Sequence, residues 1–266
     1  MKPLEIHGVG VCAPGAEDWE CARSVLREES PFEARPLAKL DIPLLPVSER
    51  RRVNATSRLA IHAAIQAVAH LPVEERAQLP SVFASANGDG AVLANMLDAL
   101  ARDPAAMSPT LFHNSVFNAP SGYWTIAGHV GAPSITVSAG DGTFASGLME
   151  AGIEALTSGT QVLYVAYDIT FPDSLHEFGI VGDAFACALL LGPPALAPSR
   201  FGRITGWSCP VQQVRSPAFS APVTVHFVGN PSSAALPLLA AIARRTASSF
   251  ALPYHDGDSI ELDYTP

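Results

Sequence analysis

Short apolar runs alternate along the chain with longer segments of helical spacing. Runs of this kind, several of them rich in β-branched residues, predict buried strands. The predicted strands are LEIHGVGVCAP, LPSVFASANGDG with its glycine turn, SITVS, TQVLYVAYDIT, DAFACALLLGP, FGRITGWSCP, VTVHFVGNP and SIELDYT. The first six also hold few polar residues, which indicates that both faces of their sheet are covered.

Helices are predicted between these strands. The segments are AEDWECARSVLREE, SERRRVNATSRLAIHAAIQAVAHL as one long helix, AVLANMLDALAR, PSGYWTIAGHVG, TFASGLMEA and SSAALPLLAAIARRT. In PSGYWTIAGHVG, we expect Trp124 and Ile126 among the buried positions. Alternation of strands and helices predicts an α/β protein built on a mostly parallel sheet with helices on both faces.

A strand, a tight turn and a helix follow one another within SITVSAGDGTFASGLMEA, residues 134–151. Such an elbow is where many enzymes display a nucleophile. Here Asp141 stands at the tip between two glycines, and the stretch holds neither a cysteine nor a G-x-S-x-G pattern. The sequence therefore has the shape of a catalytic elbow without an obvious nucleophile.

Composition narrows the class of protein. The chain has 266 residues, 48% of them hydrophobic, a net charge of −9 and a pI of about 5.3. That balance does not favour nucleic acid or an anionic membrane surface. Cys12, Cys21, Cys187 and Cys209 are widely spaced, which indicates reduced structural thiols. With no signal segment and no apolar run of membrane-spanning length, we expect a cytoplasmic protein.

Other chemistry has weaker support. Ser138, His113 and Asp141 could form a hydrolase or acyltransferase set, and Asp141 alone could serve a decarboxylase. The glycines of SANGDGA could cradle a phosphate, but close packing of strand and helix is the favoured explanation. The eight histidines lack the HxH or HxxxH spacing that is typical of metal sites. The short segments FHN and YHDGD do not form a convincing set of metal ligands either. We therefore expect neither a metal nor a cofactor.

Taken in order, the motifs resemble the N-terminal half of the β-ketoacyl synthases of the thiolase superfamily. IHGVGVCAPG is similar to their opening strand GVGVVSPLG, and SVFASANGDGAV to the strand that ends in GTGxGG. From Asn118 onward, NAPSGYWTIAGHVGAPSITVSAGDGTFASGLMEA follows NMxAGHLTIxxGLxGPxxxxxTACASGxxAIGEA without a gap. VGDAFACALLL is similar to GEGAGVLVL. The resemblance implies a thiolase-like, layered α-β-α fold with a mixed, mostly parallel sheet.

The departures from the family concern its catalysts. In the gapless register the nucleophilic cysteine of the synthases falls on Asp141, and in an alternative register it falls on Ala139. Neither side chain can carry a thioester. The HGTGT and NxFGFGG motifs of the family are also missing. We therefore expect no catalytic residue for condensation.

This pattern resembles the chain-length-factor partners of type II polyketide systems, and short versions similar to this chain occur with aryl-polyene pathways. It implies a non-condensing subunit that pairs with an active β-ketoacyl synthase and shapes the pocket for an acyl chain on a carrier protein. A homodimeric acyl-binding scaffold is the remaining alternative.

In this superfamily the strand that enters the elbow pairs across a dimer interface, so residues 135–139 are expected at a sheet edge. The predicted interface residues are Phe117, Asn118, Tyr123, Ile135, Thr136, Val137 and Ser138. Trp124 could support this surface or belong to the core. We expect one domain over residues 1–266, in which 1–208 resembles the ketosynthase N-terminal half and 209–266 is a reduced C-terminal portion.

Overall fold

One eight-stranded sheet organises the part of the chain that the structure describes. The structure, a computed structural model, describes residues 2–37, 40–103, 107–179, 182–194, 196, 199–211, 222–255 and 257–266, without the side chains of 209–211 and 222. The order of the strands across the sheet is β3-β2-β4-β5-β1-β6-β8-β7. Their bounds are β1 Leu4–Cys12, β2 Ser81–Ala84, β3 Ser134–Val137, β4 Val162–Asp168, β5 Phe185–Gly192, β6 Arg203–Val211, β7 Ser248–Pro253 and β8 Ser259–Thr265.

The sheet is mixed, but most of its pairings are antiparallel. Only β2 pairs in parallel, with β3 on one side and β4 on the other, and the remaining described pairs are antiparallel. This corrects the expectation of a mostly parallel sheet. A parallel neighbour requires a long crossover, usually a helix. Residues 169–184, which join β4 to β5, hold a short 3₁₀ turn at Asp173–Phe178 and no described α-helix, so β5 returns antiparallel to β4.

Helices cover both faces of the sheet, which confirms the layered α-β-α fold. Their bounds are α1 Trp19–Leu26, α2 Val47–Arg50, α3 Ala55–Ala67, α4 Val73–Arg76, α5 Gly90–Arg102, α6 Pro109–Ser115, α7 Ala119–Gly128, α8 Thr143–Ser158, α9 Pro222–His226 and α10 Leu236–Arg244. One apolar core lies between the sheet and α1, α8 and α10, and a second lies between the sheet and α3 and α7. Successive residues of β4 alternate between the two cores, with Tyr164 in the first and Val165 in the second.

The predicted helix over residues 48–71 is broken. The chain forms α2, leaves helical geometry after it, and starts again at α3. Asn54 is the reason, because its side-chain oxygen accepts a hydrogen bond from the backbone N–H of Ser57 at 2.9 Å and so caps a new helix.

Ile126 is exposed, which corrects its predicted burial. Trp124 and Ala127 face the core, and Ile126 projects about 100° away from Ala127 around the helix axis. The helix α7 was correctly predicted, but its buried face is narrower than predicted and does not include Ile126.

The segment VTVHFVGNP is not a strand. Its first residues belong to α9, Phe227 packs edge-on against Phe185 with ring centroids 5.2 Å apart, and Val225 and Val228 are exposed. Strand propensity depends on context, and here Val223 and Phe227 are buried in the core without forming a strand. The strand missing from the sequence prediction is β7, which forms an outer edge of the sheet beside β8. Among the described helices, none is both long enough and apolar enough to cross a membrane.

Candidate functional site

A tight elbow joins the edge strand β3 to α8. After Val137 the chain forms one 3₁₀ turn over Gly140–Gly142 and enters α8 at Thr143. Gly140 has a φ of +54°, a conformation that glycine adopts without steric cost. Asp141 is exposed at the tip of this turn. The predicted strand, turn and helix are therefore confirmed.

Close packing fixes the shape of the elbow. The hydroxyl of Thr143 accepts a hydrogen bond from the backbone N–H of Ala139 at 2.9 Å and donates one to the carbonyl of Gly140 at 2.7 Å. A Cβ atom at Gly142 would collide with the backbone carbonyl of Tyr254, and one at Gly147 would lie 2.7 Å from the Tyr164 ring. These contacts confirm that the small residues let strand and helix approach closely.

The alternative catalytic set is not assembled. The Ser138 hydroxyl donates to the backbone carbonyl of Ala86 at 2.8 Å, and the His113 ring packs edge-on against Tyr123 with centroids 5.5 Å apart. Within the described residues, no hydrogen bond or ion pair joins any two of Ser138, His113 and Asp141. An activated serine needs its base within hydrogen-bond reach, so this geometry gives Ser138 no such activation.

The thiols with described side chains are not at the elbow. Cys12 and Cys187 are fully buried on the paired strands β1 and β5, and burial raises the pKa of each thiol to about 12. Cys21 is exposed on α1. The side chain of Cys209 lies outside the described part of the structure. A thiol held largely protonated is a poor nucleophile, so the buried pair is structural.

Most of the predicted interface residues lie at the surface. Ile135 is 36% exposed on β3, Ser138, Phe117 and Asn118 are also exposed, and Thr136 and Val137 are partly buried.

Tyr123 is the correction within this group. It is 1% exposed, and its hydroxyl donates to the side-chain oxygen of Asn114 at 3.0 Å, because α7 turns this side chain towards α6 and the core. Trp124 is buried in the core as well. Tyr123 can therefore contribute to the predicted interface only as a buried residue that packs under the exposed ones.

Next to the elbow lies an apolar surface that the sequence analysis did not identify. We call it the apolar face, and it consists of Leu93, Leu97, Leu100, Phe112, Val116, Phe117, Ile126 and Ile135. Six of them lie on α5, α6, α7 and β3, each of which contacts the next, and Val116 and Phe117 lie in the connection between α6 and α7. The spacing of the three leucines on α5 gives one apolar stripe, but a stripe alone does not say whether a core or a partner covers it.

The buried carboxylate of Asp168 is linked to the elbow by hydrogen bonds through Ala86. Asp168, at the end of β4, accepts hydrogen bonds from the Ser85 hydroxyl at 2.9 Å, the Ala86 N–H at 2.8 Å and the Ser232 hydroxyl at 2.6 Å. Burial raises the pKa of this carboxyl to about 6, although the hydrogen bonds from Ser232 and Ser85 act in the opposite direction. Since Ser138 binds the carbonyl of Ala86, Asp168 is coupled to the elbow through a single residue.

The glycine turn of SANGDGA is closely packed, in line with the favoured explanation. A Cβ atom at Gly90 would run into the Phe171 ring, and the carboxylate of Asp89 caps α5 at Val92 and accepts a hydrogen bond from Thr56 at 2.8 Å. The described residues hold no group of three His, Cys, Asp or Glu side chains that could bind a metal ion.

Comparisons with solved structures give the same fold. The chain aligns with a structure of the ketosynthase ApeO in complex with its chain length factor ApeC from Xenorhabdus doucetiae, at 22% identity, over 100% of both chains and with a TM-score of 0.73. A second match, at 14% identity and a TM-score of 0.78, covers 100% of this chain and 99% of the other. It is the AntDE:AntF complex, a type II polyketide synthase acyl-carrier protein with its ketosynthase bound to the hexaketide.

A third match is the ishigamide ketosynthase/chain length factor, at 11% identity, with 99% of each chain covered and a TM-score of 0.73. At these identities the likeness establishes the fold, which is that of the ketosynthases. Comparison with curated protein sequences finds no match.

The family itself is shown by the sequence. Residues 24–214, well over half of the chain, match the family described as β-ketoacyl synthase, N-terminal domain. The matched region includes the strand, turn and helix of the elbow, together with the glycine turn that packs against it. The chain therefore belongs to the β-ketoacyl synthase N-terminal domain family.

Proposed function

We propose that this chain is a non-condensing, chain-length-factor-like subunit that pairs with an active β-ketoacyl synthase. The observation that carries the proposal is an elbow without a thiol at its tip, bordered by an open sheet edge and the apolar face. The two parts of the proposal, pairing and absence of condensation, rest on different features of this one region.

The open edge supports pairing. β3 lies at the end of the sheet and is bonded on one side to β2, with Ile135 opposite Val82. An unpaired edge that carries an exposed apolar residue invites association with another chain, and proteins usually cover such an edge. The predicted position of residues 135–137 at a sheet edge is confirmed, and their role in pairing is part of this proposal.

The apolar face enlarges the same region. Its eight side chains make up half of the sixteen large apolar residues that are exposed in the described structure. Exposed apolar residues gathered on one set of neighbouring elements are typical of an interaction site, whereas single residues scattered over the surface are not. The predicted residues Phe117 and Ile135 belong to this face, and α5 adds the leucine stripe.

The chemistry of the elbow supports a non-condensing role. Condensation by a ketosynthase passes through an acyl thioester, which needs a thiolate. Asp141 and Ala139, the two candidate positions, are both exposed and neither carries sulfur. Cys12 and Cys187 are buried in strands and hold their protons. The partner would therefore supply the nucleophile.

The matched structures support a particular choice of partner. Two of the matched structures contain a ketosynthase together with a chain length factor, and a third contains a ketosynthase with an acyl-carrier protein. By analogy we propose a heterodimer with a ketosynthase, a growing acyl chain delivered by an acyl carrier protein, and a polyketide or aryl-polyene type of product. The net charge of −9 and the absence of a basic run give nucleic acid no part in this proposal.

Co-expression tests the proposal. The partner for co-expression is a β-ketoacyl synthase with an intact catalytic cysteine and both catalytic histidines, sought among the genes that neighbour the gene for this chain. Size-exclusion chromatography of the tagged chain should yield a stable 1:1 complex, and product analysis should show that the length distribution of the acyl products depends on this chain. Phe112→Ala, in the apolar face, should lower the yield of complex.

The control is Val73→Ala, which removes an exposed apolar side chain of α4 outside the apolar face. It should leave the yield of complex unchanged. A chain that stays monomeric beside the synthase, and that never alters product length, contradicts the proposal.

A further inference from the structure

A cavity of about 230 Å³ lies at one end of the strands, opposite the end that carries the elbow. It is bounded by the start of β1, the start of β6 and the end of β8. Glu5 of β1 pairs with Gly192 of β5, and the neighbouring Leu191 pairs with Val162, the first residue of β4. The elbow follows the end of β3, and β3 runs in the same direction as β4 because both pair in parallel with β2, so the elbow lies at the other end of the strands. The cavity is therefore a separate site and does not depend on the proposed pairing.

The walls of the cavity carry an excess of positive charge. Arg200, Arg203 and Arg245 line it, and Glu5 is the one carboxylate side chain among the described lining residues. Three guanidinium groups face the Glu5 carboxylate and the carboxylate that ends this sequence at Pro266, which leaves a local charge of about +1 in a chain whose net charge is −9. Basic groups gathered around one concave site in an acidic protein favour an anionic ligand.

The arginines are available to a ligand. In the described part of the chain, the side chains of Arg200 and Arg245 make no hydrogen bond or ion pair, and Arg200 lies over the Phe201 ring at 5.9 Å. Arg203 approaches Glu5 at 3.8 Å, which is longer than the 2.7–2.9 Å typical of a charge-assisted hydrogen bond. The carboxylate of Glu5, which is buried, attracts Arg203 to the cavity. At 3.8 Å it accepts no hydrogen bond from the Arg203 guanidinium group.

Two histidines near Arg200 do not add to this charge at neutral pH. Burial lowers the pKa of His7 and that of His70, and the positive charge of Arg200 acts in the same direction on both. The arginines therefore dominate the charge of this site, and their charge does not change over the physiological range.

We propose that this cavity binds a phosphate-bearing anion. Guanidinium groups present planar, paired donors that match the oxygens of a phosphate and bind it in a bidentate manner. The cavity is smaller than the pockets of drug-sized ligands, which span about 300–1,000 Å³. It has room for a phosphate and a short organic group, so the ligand is either free phosphate or a small phosphate monoester.

Calorimetric titration of the full chain at constant ionic strength tests the site. Inorganic phosphate and glycerol 3-phosphate are the two probes, and sodium chloride is the blank. We expect saturable binding to one site, weakened at least tenfold in the double variant Arg200→Gln/Arg245→Gln. Both residues are exposed, so the fold should persist, and circular dichroism checks this.

The matched control is Arg102→Gln, which removes an exposed arginine of α5 that lies outside the cavity. It should bind both probes like the native chain. Tighter binding of glycerol 3-phosphate assigns the site to a monoester, and equal or weaker binding assigns it to free phosphate; both support the proposal. Absence of saturable binding, or an equal loss in the control variant, overturns it.

Discussion

Replacing Ile135 by aspartate places a charge in the middle of the edge strand that we propose to be paired with the partner. Ile135 is 36% exposed and lies opposite Val82 of β2. In the isolated chain the aspartate can reach water, so the expected cost is at most about 1 kcal/mol, the range of strand propensities. In the complex it would be buried between two chains.

The expected loss of affinity follows from two contributions. Full burial of an isoleucine is worth roughly 1.5–3 kcal/mol, so covering the exposed third of this side chain contributes about 1 kcal/mol. Burying a polar group without a partner costs roughly 2 kcal/mol or more, and an unpaired charge costs at least as much. Together these give about 3 kcal/mol, which corresponds to a rise in Kd of about a hundredfold.

The assay is sedimentation velocity of a dilution series of the purified chain with its ketosynthase. Ile153→Asp is the matched control, since it makes the same change at an exposed site on α8 outside the apolar face. The control should bind the synthase as tightly as the native chain. Equal affinity of the Ile135 variant, the control and the native chain would refute the reasoning, because the edge strand would then lie outside the interface.

Two further predictions concern stability. The pKa of Asp168 is raised from 3.8 to about 6 in the folded chain, so the free energy of unfolding should fall as pH rises through this window. The fall should be about 3 kcal/mol in all, of which about 2 kcal/mol occurs between about pH 4 and about pH 6. Asp168→Asn should remove this dependence in urea unfolding at a series of pH values, and an unchanged slope would contradict it. Gly142→Ala should destabilise by at least about 2 kcal/mol, because its Cβ would meet the Tyr254 carbonyl. In the same urea experiment Gly122→Ala, where a Cβ meets open space in a helix, should be neutral or stabilising; equal effects of the two would contradict the packing.

Local pattern was sufficient to predict the central elements and the elbow. The apolar runs at β1, β4 and β5 are strands because both faces of each are covered, and such runs are continuous in the sequence. The glycines around Asp141 predicted a turn that only small residues allow. The order of family motifs along the chain then predicted the fold, which the structure confirms.

Features that depend on partners in space could not be predicted in the same way. The direction of β5 depends on the length of its connection to β4, and a continuous apolar run is compatible with either direction. The helical spacing of α5 shows an apolar stripe, but only the fold shows that Leu93 and Leu97 face outward. Tyr123 was predicted at the interface, and only the position of α6 beside α7 shows that its side chain is buried.

Asp168 was also missed at the candidate site. A single aspartate at the end of a buried strand has no distinctive neighbours in the sequence, because Ser85 and Ser232 lie 83 and 64 residues away. One signal was present, namely that a charged residue closes an otherwise apolar run in VLYVAYD. A buried carboxylate needs hydrogen-bond donors, and their identity emerges only when the chain is folded.

The most direct test of the central claim is native mass spectrometry of the complex between this chain and its ketosynthase, after incubation with an acylated carrier protein. The account predicts a 1:1 complex in which the acyl mass is found on the ketosynthase alone. This chain should keep its unmodified mass, because Asp141 and Ala139 cannot form a thioester. An acyl adduct on this chain, or no complex at all, would contradict the account.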